Sequence, residues 1–267
     1  MLRIVIIVAV LGLLARASRA AWQHRGLSVS IWRGIRPRHV VGSLGLMVVV
    51  LGTAITLLLA VPVTGFGLGA LVGLEGNAIF APIDGALDAP TQAAELAQQT
   101  GGTATPAPFP WGSLAGVTAF LALLVLLFPH LAYAEELAFR VGWEDHDLLR
   151  QAASALRFGL IHMIMLIPLA AALAVGVAGF AYGRIYRRAY RGAAVPRTVL
   201  PDWSPRVAED HEGFTRLVMG PPSPVEVVDR SAARKEGAFQ AAVWHTTFNT
   251  TVAGLVWLGY VGSLTLS

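Results

Sequence analysis

Leu121-Ala122-Leu123-Leu124-Val125-Leu126-Leu127-Phe128-Pro129-His130-Leu131-Ala132-Tyr133-Ala134-Glu135-Glu136-Leu137-Ala138-Phe139-Arg140 closes an apolar run that begins at Gly112. Gly112 to Ala134 is long enough, at roughly 20 residues, to carry a helix across the ~30 Å hydrocarbon core of a bilayer. Two adjacent carboxylates at the end of such a run are costly unless they face a polar interior, so they are functional candidates. Phe158-Gly159-Leu160-Ile161-His162 and His245-Thr246-Thr247-Phe248-Asn249 place further polar groups inside other apolar stretches. The reading that follows is an all-α, polytopic membrane bundle whose buried polar groups do chemistry.

Composition agrees. Of 267 residues, 55% are hydrophobic and 13% charged, with a mean hydropathy of +0.62, whereas a soluble domain carries about 25% charge. The net charge is +4, and the arginines flank apolar runs instead of forming one basic face. That pattern fits anionic lipid headgroups and excludes nucleic acid as the expected partner. The absence of cysteine removes disulfides, thiolate metal sites and a cysteine nucleophile from consideration.

Three spans stand out: Ser43 to Val63, Gly112 to Ala134 and Gly237 to Leu264. Arg16 to Arg38 holds six Lys/Arg, Thr64 to Trp111 none, Arg140 to Arg157 three, and Arg184 to Lys235 ten. The positive-inside rule puts the first, third and fourth of these stretches in the cytoplasm. Ala152 to Tyr186 must then cross twice, which predicts two helices, His146 to Ile167 and Pro168 to Arg187, broken at a proline that lacks a helical donor. A single helix kinked at Pro168 is the alternative. About six membrane segments result, in a multi-pass protein of the cell membrane with its motif loops facing the cytoplasm.

Met1 to Ala15 has the pattern of a secretory signal, with Ser18-Arg19-Ala20 as a cleavage site, or of a short uncleaved anchor. Phe66 to Pro82, which contains Glu75, reads as a partly buried or re-entrant loop, and Asp84 to Pro110 as an extracytoplasmic loop. The Pro-rich stretch from Gly192 to Val228 reads as a cytoplasmic loop against the membrane surface. Ala172, Gly176, Gly179 and Gly183 form a small-residue stripe that lets another helix approach. Residues 1–111 thus form an N-terminal membrane region, and 112–267 a motif-bearing region with a polar insertion at 188–236.

Helical residues four apart share a face. Glu136 can therefore pair with Arg140 and hold the helix end in register, while Glu135 points about 100° away and is the carboxylate better suited to take a proton from water. The bland reading is a solvated acid pair at the helix end. His245 and Asn249 share one face and offer N–H donors of oxyanion-hole type. Phe158 gives His162 an aromatic wall. Taken singly, a membrane histidine is more often a helix-to-helix hydrogen-bonding group.

Glu-Glu-x-x-x-Arg, Phe-x-x-x-His and His-x-x-x-Asn, in that order on hydrophobic helices, resemble the motif set of the CPBP intramembrane proteases, the family of type II CAAX prenyl endopeptidases and bacteriocin-processing or immunity proteins. The resemblance spans roughly Gly112 to Leu264. It implies that Glu135 and His162 activate the attacking water, that His245 and Asn249 stabilise the oxyanion, and that Glu136, Arg140 and Phe158 support them. It implies hydrolysis of a peptide bond in a membrane-associated, CAAX-like protein or peptide. No cofactor or obligatory metal is expected, although a divalent ion such as zinc would take Glu135, His162 and His245 as ligands. The insertion at 188–236 departs from the family pattern, and nothing before Gly112 matches it.

Other protease chemistries fit poorly. His211-Glu212 is followed by Gly213-Phe214-Thr215, so no His-Glu-x-x-His is present, and there is no Gly-x-Gly-Asp or in-span Gly-x-Ser-x. Asn249-Thr250-Thr251 matches a glycosylation acceptor by accident of its place in a span. The alternatives are a non-catalytic immunity or scaffold protein keeping the motifs for packing, and a proton-relay transporter, against which no inverted repeat appears.

Overall fold

The computed structural model describes residues 2–72, 78–80, 83, 110–199, 204–209, 215–220 and 225–266. Among the described residues, seven α-helices make up the framework: α1 (Leu2–Gln23), α2 (Arg25–Gly34), α3 (Pro37–Ala60), α4 (Trp111–Arg140), α5 (Leu148–Ile161), α6 (Leu169–Ala193) and α7 (Arg230–Leu266). Among the described residues, four stretches have the length and apolarity to cross a membrane: Ile4–Gln23, Pro37–Ala60, Trp111–Asp145 and Leu169–Ala193. Their outward faces are greasy, with Val48 72% and Leu59 79% exposed on α3, an apolar surface that suits lipid and not water. Half of the apolar window of α6 is buried against 11% of that of α3, so α6 is the central helix and α3 a peripheral one.

Of the about six segments expected, these four have the length and apolarity to span, and two further helices fall short of that mark for physical reasons. α5 has 14 residues, only about 21 Å at ~1.5 Å per residue. α7 has 37 residues, but its middle carries the polar run His245-Thr246-Thr247 and Asn249-Thr250-Thr251. The break at Pro168 is present: α5 passes into a 3₁₀ turn, His162–Met165, Leu166 adopts a left-handed φ of 66°, and Pro168 caps α6. Asp147 caps the other end of α5, its Oδ1 accepting from the Arg150 N–H at 2.8 Å, and satisfies one of the orphan donors of the first turn.

The chain after α3 forms 3₁₀ turns at Pro62–Gly65, Leu68–Val72 and Ala78–Phe80. The Leu169 N–H donates to the Phe66 carbonyl at 2.9 Å, and Gly67 bridges Pro168. The start of α6 therefore sits beside the end of α3. At the opposite end, Arg38 from the start of α3 borders the same recess as Arg188 and Gly192 from the end of α6, so α3 and α6 run antiparallel. The Asp84 to Pro110 loop, apart from Pro110, and Glu75 lie outside the described residues. Between α6 and α7 the expected surface loop is instead built partly of short strands, β1 (Arg197–Val199), β2 (Ser204–Glu209), β3 (Thr215–Gly220) and β4 (Val225–Val227), in two antiparallel pairs, β1 with β4 and β2 with β3.

The small-residue stripe is buried and does what its composition implies. A Cβ on Gly159 of α5 would lie 2.2 Å from the Ala172 carbonyl of α6, so the two backbones touch there. A Cβ on Gly183 would lie 2.0 Å from the Trp143 ring, and the indole, itself fully buried, fills that notch. α1 runs unbroken through Ser18-Arg19-Ala20. Its Val10 and Leu14 pack with Phe120, Leu121 and Leu124 of α4 and Ala253 of α7, so the N-terminal segments share a core with the motif helices.

Candidate functional site

α4 keeps its helical spacing through Glu135, Glu136 and Arg140, so the expected pair forms: Arg140 Nε lies 3.2 Å from Glu136 Oε2, with both side chains fully buried. The guanidinium is flanked by aromatic faces, 4.6 Å from the Phe158 centroid and 5.2 Å from that of Trp143, positions that favour a cation. Glu136 has a second partner that the spacing did not reveal. Its Oε1 lies 3.0 Å from His245 Nδ1, across from α4 to α7. A carboxylate only accepts, so Nδ1 carries the proton of that bond. The bland picture of a solvated acid pair is thereby corrected for Glu136, while Glu135 keeps a side chain 33% exposed.

The free ring nitrogen of His245 faces the other acid, Nε2 standing 3.8 Å from Glu135 Oε2. Tyr182 of α6 stacks on this imidazole at 4.7 Å and 19°, and the Phe158 ring lies 5.9 Å away in a T-shaped arrangement. His162 sits one turn after Phe158, the rings 4.8 Å apart, as the aromatic-wall reading required. Its Nδ1 is 2.7 Å from the Phe158 carbonyl, which can only accept, so Nδ1 is the donor. In the neutral ring Nε2 then holds the lone pair and is the nitrogen able to receive a proton.

Glu135, His162, His245 and Asn249 all line one partly open cavity of about 250 Å³, far above the ~10–15 Å³ that a single water occupies. The rest of its wall is mostly apolar, including Leu14, Phe80, Leu124, Phe128 and Val252. Glu136 and Arg140 stand behind it and hold His245 and each other. Among the described residues, no three His, Asp or Glu side chains are arranged to hold a metal ion.

The chain matches no family model, no curated protein and no solved structure.

Two features escaped the sequence reading. Tyr182 belongs to a series with Tyr186 and Tyr190, spaced four apart on the buried face of α6, a periodicity that could have marked it as a neighbour of the motif helices. The second is a clasp beyond the cavity. The Glu144 side chain, 3% exposed, accepts from Arg234 Nε, from Tyr186 Oη at 3.1 Å and from the Gly142 N–H at 3.1 Å. It ties the turn after α4 to the first turns of α7, and this hydrogen bond holds the Arg234 guanidinium above its ordinary pKa. No local pattern announces a pairing across 90 positions.

Proposed function

We propose that this chain is an intramembrane endopeptidase that hydrolyses a peptide bond of a membrane-associated protein or peptide, as its resemblance to the CPBP proteases implies. The observation that carries the reading is the meeting of Glu135, His162, His245 and Asn249, from α4, α5 with its 3₁₀ extension, and α7, on the wall of one otherwise apolar cavity. In this reading Glu135 takes a proton from water, with His162 Nε2 holding that water in place, as the water oxygen bonds to the scissile carbonyl carbon. The oxyanion is received by the Asn249 amide N–H and by His245 Nε2–H, which exists only in the imidazolium because Nδ1–H is committed to Glu136. Glu136 and Glu135 favour that cation. As the carbon–nitrogen bond breaks, Glu135 returns its proton to the leaving amine. The products are a carboxylic acid and an amine, to which the acid then passes its proton, and no obligatory metal enters.

The finer topology belongs to the same proposal: α5 with its 3₁₀ turn, and α7, also cross, giving six segments in the cell membrane with the motif loops toward the cytoplasm. Support comes from Pro168 lying beside Gly67, which returns the chain to the far end of α3, and from Arg38 and Arg188 sharing the other end.

Cleavage of a library of lipid-tethered fluorogenic peptides by the reconstituted protein tests the chemistry. Glu135→Gln should lower the rate by at least about 100-fold, the low end of general-base contributions, with an unchanged thermal midpoint. Equal cleavage by both proteins would contradict the assignment. Absence of cleavage by the unaltered protein, with its phenotype preserved in Glu135→Gln, would favour the non-catalytic immunity or scaffold reading.

A further inference from the structure

Away from the cavity, the last turns of α6 carry Arg184, Arg187, Arg188 and Arg191. Offsets of three, four and seven put them on one face of the helix. The other face carries Tyr182, Tyr186 and Tyr190, all buried in the core. Among the described residues, these four arginines line a recess of about 380 Å³, and Arg188 also borders a second recess of about 700 Å³ to which Arg38 and Trp244 contribute. Arg184, Arg188 and Arg191 are exposed and Arg187 is half-buried, its Nε sequestered with no hydrogen-bond partner among the described residues.

Among the described residues none of the four forms an ion pair, while Glu136 pairs with Arg140 and His245, and Glu144 and Asp145 with Arg234. Glu236 borders the second recess, where its Oε1 accepts from Gln240 Nε2. Like charges one turn apart repel, so an anion upon this face would relieve that repulsion.

We propose that Arg184, Arg187, Arg188 and Arg191 form a binding site for the headgroup of an anionic lipid that carries more than one phosphate. The planar guanidinium fork matches phosphate oxygens two at a time. Arg184 and Arg191 are separated by about 10 Å along the helix, from seven steps of ~1.5 Å, more than one phosphate bridges. A lipid is favoured over a free ion because α6 is long and apolar enough to span and the arginines end it, level with the headgroups, where basic clusters attract anionic lipid. The site is separate from the cavity and does not depend on peptide hydrolysis.

The test is binding of a short-chain phosphatidylinositol bisphosphate to the purified full-length protein in detergent, with short-chain phosphatidylcholine and inorganic phosphate as the other probes. The bisphosphate lipid should bind, weaken as salt is raised, and resist displacement by phosphatidylcholine or millimolar inorganic phosphate. Replacing all four arginines by glutamine should weaken it at least about tenfold. Arg184→Gln, Arg188→Gln and Arg191→Gln combined, which leaves the half-buried Arg187 in place, should produce most of that loss with an unchanged thermal midpoint. Unaltered affinity in the triple variant would overturn the site, and equally effective competition by inorganic phosphate would overturn its assignment to a lipid.

Discussion

At the scale of single residues, the wall of the cavity is held by charged groups kept out of water. Arg140 and Glu136 are both fully buried, and His245 Nδ1 bonds to the same carboxylate. Removing one member of a buried pair leaves the other uncompensated, which costs about 3–5 kcal/mol. Glu136→Ala should therefore unfold in denaturant titration at markedly lower concentration than the unaltered protein, and Glu136→Gln should lose less because it keeps an acceptor for His245. A Glu136→Ala protein as stable as the original would show that the pair contributes nothing. These residues were legible in the sequence because four-residue spacing fixes a shared helix face. Glu136 with His245 was not, since spacing within one helix says nothing about which face of a distant helix meets it.

Between elements, close approach is set by what is absent. Gly183 leaves room for the Trp143 indole, and a Cβ there would clash at 2.0 Å. Gly183→Ala should cost about 1–3 kcal/mol through overpacking, read as a lowered thermal midpoint in detergent, whereas Gly192→Ala, with nothing within 4 Å of its Cβ, should leave the midpoint in place. Equal midpoints for the two would contradict the close packing of α6 on the turn after α4. The clasp makes a second prediction at this scale. Glu144→Ala removes the acceptor shared by Arg234, Tyr186 and Gly142, and should destabilise by about 1–3 kcal/mol, the penalty for stranding buried donors. Helix existence and the break at Pro168 were readable from apolar runs and a missing donor. The short length of α5, 14 residues, was not, because the 3₁₀ turn and the left-handed Leu166 that follow it leave no periodic mark, and neither were the strands of the insertion, which depend on pairings between separated segments.

Across the whole molecule, two ends of different character emerge. Arg38, Arg188 and Arg234 lie at helix ends that share recesses or clasps, while the start of α6 meets the chain after α3. The chain has no cysteine, so single introduced cysteines report sidedness without background. Ser30→Cys and Ala193→Cys should react with an impermeant thiol reagent from one side of the membrane and Gly112→Cys from the other. Reaction of all three from the same side would break the proposed topology. The central claim is that groups from separate helices act as one hydrolytic unit, and a double-variant rate measurement addresses it most directly. With the reconstituted protein and the tethered peptide library, Glu135→Gln, Asn249→Ala and the pair together should show strong non-additivity, the double variant cleaving about as slowly as the worse single one. Losses that simply multiply, or no loss from either substitution, would contradict the account.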